Sequence, residues 1–221
     1  MRPPSGRTGV LGGTFDPVHA GHLAAAEAAR TTLALDRVLF IPSHQPPHRS
    51  ANPGASAFHR FAMVSLAVDP YPPFAASDVE LQRSGPSYTA DTLRRLHLTG
   101  HEASQLFFII GTDAFAEIAT WRDYPAVLDL AHFAVISRPG QSLEMLGERL
   151  PDLAPRMRAV AQPPRAEAFG PPCAVFLVKA VTPDVSSTDI RDRAGRGGSL
   201  AGLVAPEVER HIAKHRLYHP R

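Results

Sequence analysis

Apolar runs and amphipathic stretches alternate along this chain, and the alternation predicts strands and helices in turn. Thr8–Leu11 reads as a short buried strand, and the alanine-rich stretch Leu23–Arg30 as a strong helix former. Arg37–Ile41 predicts a second strand stopped by Pro42, Ala57–Val68 a helix, Ala75–Leu81 a strand and Ser87–His97 a helix. Leu106–Ile110 is continuously apolar and ends at Gly111, as expected of a strand covered on both faces. Short helices follow over Ala114–Ala119 and Tyr124–Leu130, strands over His132–Ser137 and Ala174–Lys179, and helices over Ser187–Ala194 and Pro206–His215. This rhythm predicts an α/β fold. It should be a Rossmann-like, doubly wound parallel sheet with helices on both faces, right-handed crossovers and a small C-terminal helical part from about residue 184. Such sheets take ligands beyond the strand carboxyl ends, near a topological switch point.

Two segments break the rhythm. His44–Pro53 is a Pro- and His-rich loop, and Pro139–Pro172 is rich in Pro, Arg and Gly, with one short helix expected at Leu143–Arg149. No composition shift marks a second domain and no repeat is present, so residues 1–221 read as a single domain. The 221 residues suffice for one well-buried core, and 44% hydrophobic with 20% charged residues is ordinary globular composition. A formal charge of +2 is too small to point to nucleic acid. The single cysteine, Cys173, excludes an intramolecular disulfide and fits a reducing compartment. No run approaches the roughly 18 apolar residues of a membrane span, and Met1–Arg7 lacks the apolar core of a signal peptide. The expectation is a cytoplasmic protein without nucleic-acid or membrane partners; a homo-oligomer remains open.

Candidate chemistry concentrates in Gly12–Leu23, Gly-Gly-Thr-Phe-Asp-Pro-Val-His-Ala-Gly-His-Leu. Two glycines at a strand end let the backbone turn and approach a ligand closely. The following helix aims unpaired N–H groups and its positive dipole end at whatever sits there, which favours an anion. His19 and His22 are three residues apart, so on a first helical turn they share a face and can reach one phosphate group. A Gly-Gly turn alone is common between a strand and a helix; the two histidines after Thr-Phe-Asp-Pro make it specific. The pattern is neither a Walker A loop nor a G-x-G-x-x-G fingerprint. It resembles the H-x-G-H signature of the nucleotidyltransferase superfamily.

A second anion motif lies at Val185–Arg191. The hydroxyls of Ser186, Ser187 and Thr188 can cap backbone donors or bind phosphate oxygens, and Arg191 lies one turn on. By itself this is an ordinary capped helix start. In the superfamily such a helix start faces the H-x-G-H site and holds the ATP β- and γ-phosphates. Further segments occur in order: Pro46-Pro47-His48, Glu80-Leu81, Ser87–Leu93, Phe108–Asp113, Trp121-Arg122, Arg138–Gly140 and His215–Tyr218. Together with the two phosphate motifs, this set is similar to bacterial nicotinate-nucleotide adenylyltransferases, over nearly all of the chain except Pro139–Pro172.

The resemblance implies transfer of adenylyl from ATP to nicotinate mononucleotide, giving deamido-NAD and pyrophosphate in NAD synthesis. The attacking phosphate is already ionised, so catalysis reduces to positioning and charge stabilisation. It assigns His22, His19 and Arg191 to catalysis, and Gly12, Gly13, Thr14, Phe15, Gly111, Asp113, Ser187 and Thr188 to ATP. Asp113 also reads as a helix N-cap. Nicotinate mononucleotide is expected at His48, Arg49, Thr89, Trp121 and Arg138. The family usually carries Lys after Pro-Pro-His where this chain has Arg49, so a guanidinium fork replaces a point charge. An indole stacks well on a pyridine ring, although most tryptophans are core residues. Mg²⁺ is expected on the ATP phosphates rather than in a protein cage. His211, His215 and His219 fall at helical spacing and read as a solvated helix end. Alternative readings are a sister enzyme for nicotinamide mononucleotide or phosphopantetheine, and a non-catalytic nucleotide sensor. The Ser-Tyr-Thr and Thr-Trp-Arg segments argue against phosphopantetheine, and retention of His19, His22 and Arg191 against a sensor.

Overall fold

The computed structural model describes residues 6–46, 53–137, 144–164 and 166–219. Its strands are β1 (Thr8–Gly13), β2 (Arg37–Pro42), β3 (Phe74–Ala76), β4 (Leu106–Gly111), β5 (His132–Ile136), β6 (Met157–Val160) and β7 (Val175–Val178). They form one seven-stranded sheet in the order β3-β2-β1-β4-β5-β7-β6. The pairs β1–β4, β4–β5, β5–β7 and β6–β7 all run parallel. The α-helices are α1 (Ala20–Leu33), α2 (Ala57–Val68), α3 (Thr89–Leu98), α4 (Thr112–Ala116), α5 (Glu144–Arg149), α6 (Ser187–Gly195) and α7 (Pro206–Lys214). Chain order reverses at β1, from β2 and β3 on one side to β4 and β5 on the other. Such a reversal defines the switch point of a doubly wound sheet.

The chain divides into two compact units. The first comprises Met1–Leu11, Ala25–Val38 and Tyr88–Thr182; the second comprises Gly12–Ala24, Leu39–Ser87 and Pro183–Arg221. In the first, β4 and β5 are buried at every position but Gly111, and their aromatic residues pack on one another, as in Phe108 against Phe133 at 5.6 Å between ring centroids. His132 is fully buried there. Its Nδ1 accepts from the Ala174 N–H (2.9 Å), so the neutral ring donates from Nε2 to the Phe169 carbonyl (3.1 Å). Burial pushes its pKa down, which keeps that tautomer neutral. In the second unit, α2 packs against α7 and β3. It buries Met63, Val64, Ala67 and Val68 on one stripe, while α7 buries Val208 and Ile212.

Most predicted elements lie within three residues of their expected bounds, and four differences have a local cause. The strand expected over Ala75–Leu81 is confined to Phe74–Ala76. Beyond Ser77, whose N–H reaches the Phe40 carbonyl, the polar run turns on itself, with the Leu81 N–H on the Asp78 carbonyl (2.8 Å). The helix expected from Ser87 begins at Thr89, because the Ser87 N–H is committed to Gln45 and its hydroxyl accepts from the His44 N–H. The helix expected over Tyr124–Leu130 is a 3-10 turn, Ala126–Asp129. Within the Pro-rich stretch, β6 was not foreseen; it is a short, largely exposed edge strand, so its apolar pattern is weak.

Candidate active site

The second unit carries both phosphate motifs. β1 delivers Gly12 and Gly13 at its carboxyl end, and the Ser43 N–H donates to the Gly13 carbonyl at 2.8 Å. Phe15 then adopts the left-handed region at φ 50°, uncommon for a bulky residue. Its buried ring stands edge-on to His22 at 5.0 Å and near Phe40 at 5.9 Å. Arg60 of α2 fixes the loop from below. It is 1% exposed and donates to the carbonyls of Thr14 (2.6 Å), His44 (3.1 Å) and Ala55 (3.3 Å). A planar guanidinium suits three diverging carbonyls in a way an ammonium does not.

The two histidines open α1. Their rings stack at 3.7 Å with planes 28° apart. The His19 N–H donates to His22 Nδ1 at 3.2 Å, the reach-back of an N3 side chain onto the cap residue. Nδ1 is thus an acceptor, which in the neutral tautomer places the His22 ring proton on Nε2. Gly21 is required by closeness. A Cβ there would lie 3.1 Å from His19 Cε1 and Nδ1 and 3.3 Å from Val185.

The second motif hangs on the same loop. Ser186 caps α6, accepting from the Asp189 N–H at 3.1 Å. The Ser187 hydroxyl donates to the Pro17 carbonyl (2.9 Å), so what Ser187 offers a ligand is its backbone N–H rather than its hydroxyl proton. Arg191 donates from Nη1 to the Asp16 carbonyl (2.8 Å) and from Nη2 to the Thr188 hydroxyl (3.1 Å). These two bonds orient the guanidinium and leave three of its five N–H groups without a protein acceptor among the described residues. The exposed Thr188 hydroxyl accepts there, which leaves its own proton to donate.

Three residues without an assigned role hold this arrangement together: Asp16, Arg60 and Tyr218. The Asp16 carboxylate is 1% exposed and accepts from the N–H groups of Gly54 (2.7 Å) and Ala55 (3.0 Å) and from the Tyr218 hydroxyl (2.9 Å). An arginine on the apolar stripe of Ala57–Val68 was the legible signal for Arg60; Asp16 and Tyr218 lay inside segments that carried the resemblance, which gave neither a role. His211 corrects the solvated-end reading. It is half-buried, with its Nε2 3.1 Å from His59 Nδ1 of α2, while His215 and His219 are exposed. Among the described residues no three His, Cys, Asp or Glu side chains converge to hold a metal.

The first unit carries the other expected positions. Gly111 ends β4 and occupies the N-cap of α4; Asp113 is exposed in the first turn, not at the cap. Trp121 is half-buried, its ring edge-on to Phe108 at 6.0 Å. The next residue, Arg122, lies over the Tyr88 ring at 4.7 Å and pairs with Asp91 at 3.3 Å. The Trp121 segment is thereby laid beside the start of α3, where Thr89 is the first residue. His48, Arg49 and Arg138 lie outside the described residues.

A strand–Gly-Gly–helix junction with paired histidines beside an Arg-bearing helix start is the arrangement of a nucleotidyltransferase. The cytidylyltransferase-like family matches residues 10–193. Over its full length the chain is similar to proteins named probable nicotinate-nucleotide adenylyltransferase. That of Desulfitobacterium hafniense is 42% identical, covering 99% of this chain and 98% of that protein. That of Symbiobacterium thermophilum is 41% identical, covering 96% and 95%. The chain belongs to the nicotinate-nucleotide adenylyltransferase family. The fold is also that of the Plasmodium falciparum nicotinic acid mononucleotide adenylyltransferase solved with NaAD, at TM-score 0.70 and 15% identity over 97% of this chain and 98% of that one. No helix among the described residues is long and apolar enough to cross a membrane.

Proposed function

We propose that the chain transfers adenylyl from ATP to nicotinate mononucleotide, releasing pyrophosphate and forming deamido-NAD. The observation that carries this reading is the stacked His19–His22 pair and the Arg191 guanidinium held on one loop. The mononucleotide phosphate attacks the ATP α-phosphorus; the bond to the β-phosphate oxygen breaks, and pyrophosphate leaves with that electron pair. The nucleophile is ionised at neutral pH and needs no base. His22 Nε2–H, with His19 beside it, stabilises charge growing on the α-phosphate oxygens. Backbone groups of Gly12–Phe15 line the phosphates. Arg191, the Thr188 hydroxyl and the Ser187 N–H hold the departing pyrophosphate. Mg²⁺, when bound to the phosphate oxygens, supplies further charge neutralisation.

Gly111 and Asp113 are assigned to the adenosine half of ATP. Nicotinate is assigned to Trp121 and the first turn of α3 at Thr89, with His48, Arg49 and Arg138 around the mononucleotide phosphate. The helix start favours a carboxylate, since its first N–H groups find no acceptor within the helix and an amide NH₂ is itself a donor. Residues 1–221 act in this reading as one cytoplasmic catalytic domain with small-molecule substrates. Pyrophosphate release with ATP and nicotinate, nicotinamide or phosphopantetheine substrate in turn tests it. Turnover is expected with the nicotinate form at clearly higher kcat/KM than with the amide. Release only with phosphopantetheine, or with none of the three, would overturn it.

A further inference from the structure

We infer that Asp16 and Tyr218 are positioning residues for this reaction, acting through Arg191: the tyrosine clamps the Asp16 carboxylate, and Asp16 fixes the guanidinium against the phosphate loop. The inference rests on the role given to Arg191 above.

Every oxygen of Asp16 is spoken for. Oδ1 accepts from the Ala55 N–H and the Tyr218 hydroxyl, and Oδ2 accepts from the Gly54 N–H and faces Arg191 Nη1 at 3.8 Å. Its backbone carbonyl accepts from the same Nη1 at 2.8 Å. A carboxylate this deeply buried is tolerated only when donors replace its water. The partners arrive from sequence separations of 38, 39, 175 and 202 residues. They lock the peptide that follows Phe15, a residue held at positive φ, and such a backbone persists only where its surroundings over-determine it.

The seat of Tyr218 is built from both sides. A Cβ on Gly54 would lie 3.0 Å from Tyr218 Cδ1 and 3.3 Å from Arg191 Cδ, so the tyrosine ring and the arginine stem share one slot. A Cβ on Gly195 would meet the Tyr218 carbonyl at 2.9 Å. Burial and the neighbouring carboxylate push the phenol well above its usual range, so it remains a donor throughout the working pH range. A tyrosine serving only to tack down the chain end would not need to share its acceptor with the arginine of the phosphate site.

Tyr218→Phe keeps the ring and deletes the bond to Asp16. The expected result is about a tenfold fall in kcat, the typical worth of a hydrogen bond to a charged group. KM for nicotinate mononucleotide should stay unchanged, and calorimetric binding of inorganic pyrophosphate should weaken. In an Arg191→Ala background the same substitution should cost nothing further, because the two act as one unit. Gly54→Ala, which crowds the slot shared by the Tyr218 ring and the Arg191 stem, should shift the same two readouts. Wild-type kcat and pyrophosphate affinity in Tyr218→Phe would overturn the inference, as would an equal loss with and without Arg191. A wild-type protein that releases no pyrophosphate would instead overturn the adenylyl-transfer reading, and pyrophosphate affinity would still decide between a positioned and an unpositioned Arg191.

Discussion

Replacing Gly21 with Ala should move stability and activity in opposite directions. Gly21 is the second residue of α1, and Ala is preferred over Gly within a helix by up to about 1 kcal/mol. Near a helix start the gain is smaller, roughly half of that, and for a chain of this size it raises Tm by about 2 °C. Against it stands the new methyl group, 3.1 Å from His19 Cε1 and Nδ1 and 3.3 Å from Val185 Cγ1. Relief requires the His19 ring to retreat by a few tenths of an ångström. That ring is buried and stacked on His22 at 3.7 Å, so the displacement passes directly to the ring proposed to act on the α-phosphate. Misplacement of a catalytic group by ~1 Å can cost ~10²-fold, so a shift of this size should lower kcat by roughly tenfold. Pyrophosphate release and thermal unfolding of the same preparation measure both. A Gly21→Ala protein with wild-type kcat would refute the view that the glycine exists to let the histidines stack.

Four further outcomes follow from the geometry. His22→Ala should lower kcat by roughly 10²–10³ while ATP binding changes little, as expected on losing a preorganised donor; steady-state kinetics and ATP titration separate the two. Trp121→Ala should weaken nicotinate mononucleotide several-fold at intact ATP affinity, since an aromatic stack is worth roughly 0.5–1.5 kcal/mol; a Tm loss with unaltered KM would instead make the indole structural. Arg60→Met should destabilise the fold by about 3 kcal/mol, because it strands one buried and two part-buried carbonyls at once; denaturant titration reads this directly. His211 lies below its ordinary pKa through burial, reinforced by His215, His59 and Lys214. The folded protein therefore binds fewer protons there than the unfolded chain, and that stability is present above the unfolded value of 6.5 and lost as pH falls below it. Melting scans between about pH 7 and pH 5 should show a decline that His211→Gln flattens.

The chain's own order of residues determined what neighbouring positions decide among themselves. The apolar run Leu106–Ile110, the alanine-rich body of α1, the Ser186 cap and the i, i+3 spacing of His19 and His22 are all local, and each has its predicted place in the structure. Their physics lies within one strand or one helical turn, where propensity, periodicity and capping suffice. Only the tertiary structure decided that Met157–Val160 becomes an edge strand, since its pattern is weak and its partner β7 supplies the pairing. Only the tertiary structure likewise stopped β3 at Ala76, where the polar residues that follow satisfy one another instead of extending a ladder. The same holds for Asp16, Arg60 and Tyr218. Each stands in a segment whose local pattern states no partner for it, and each acquires a role because folding brings together groups as much as 202 residues apart and removes the water that would otherwise serve them. A buried carboxylate or guanidinium must then find its partners across the fold, and that requirement is set by burial, which no local pattern of residues encodes.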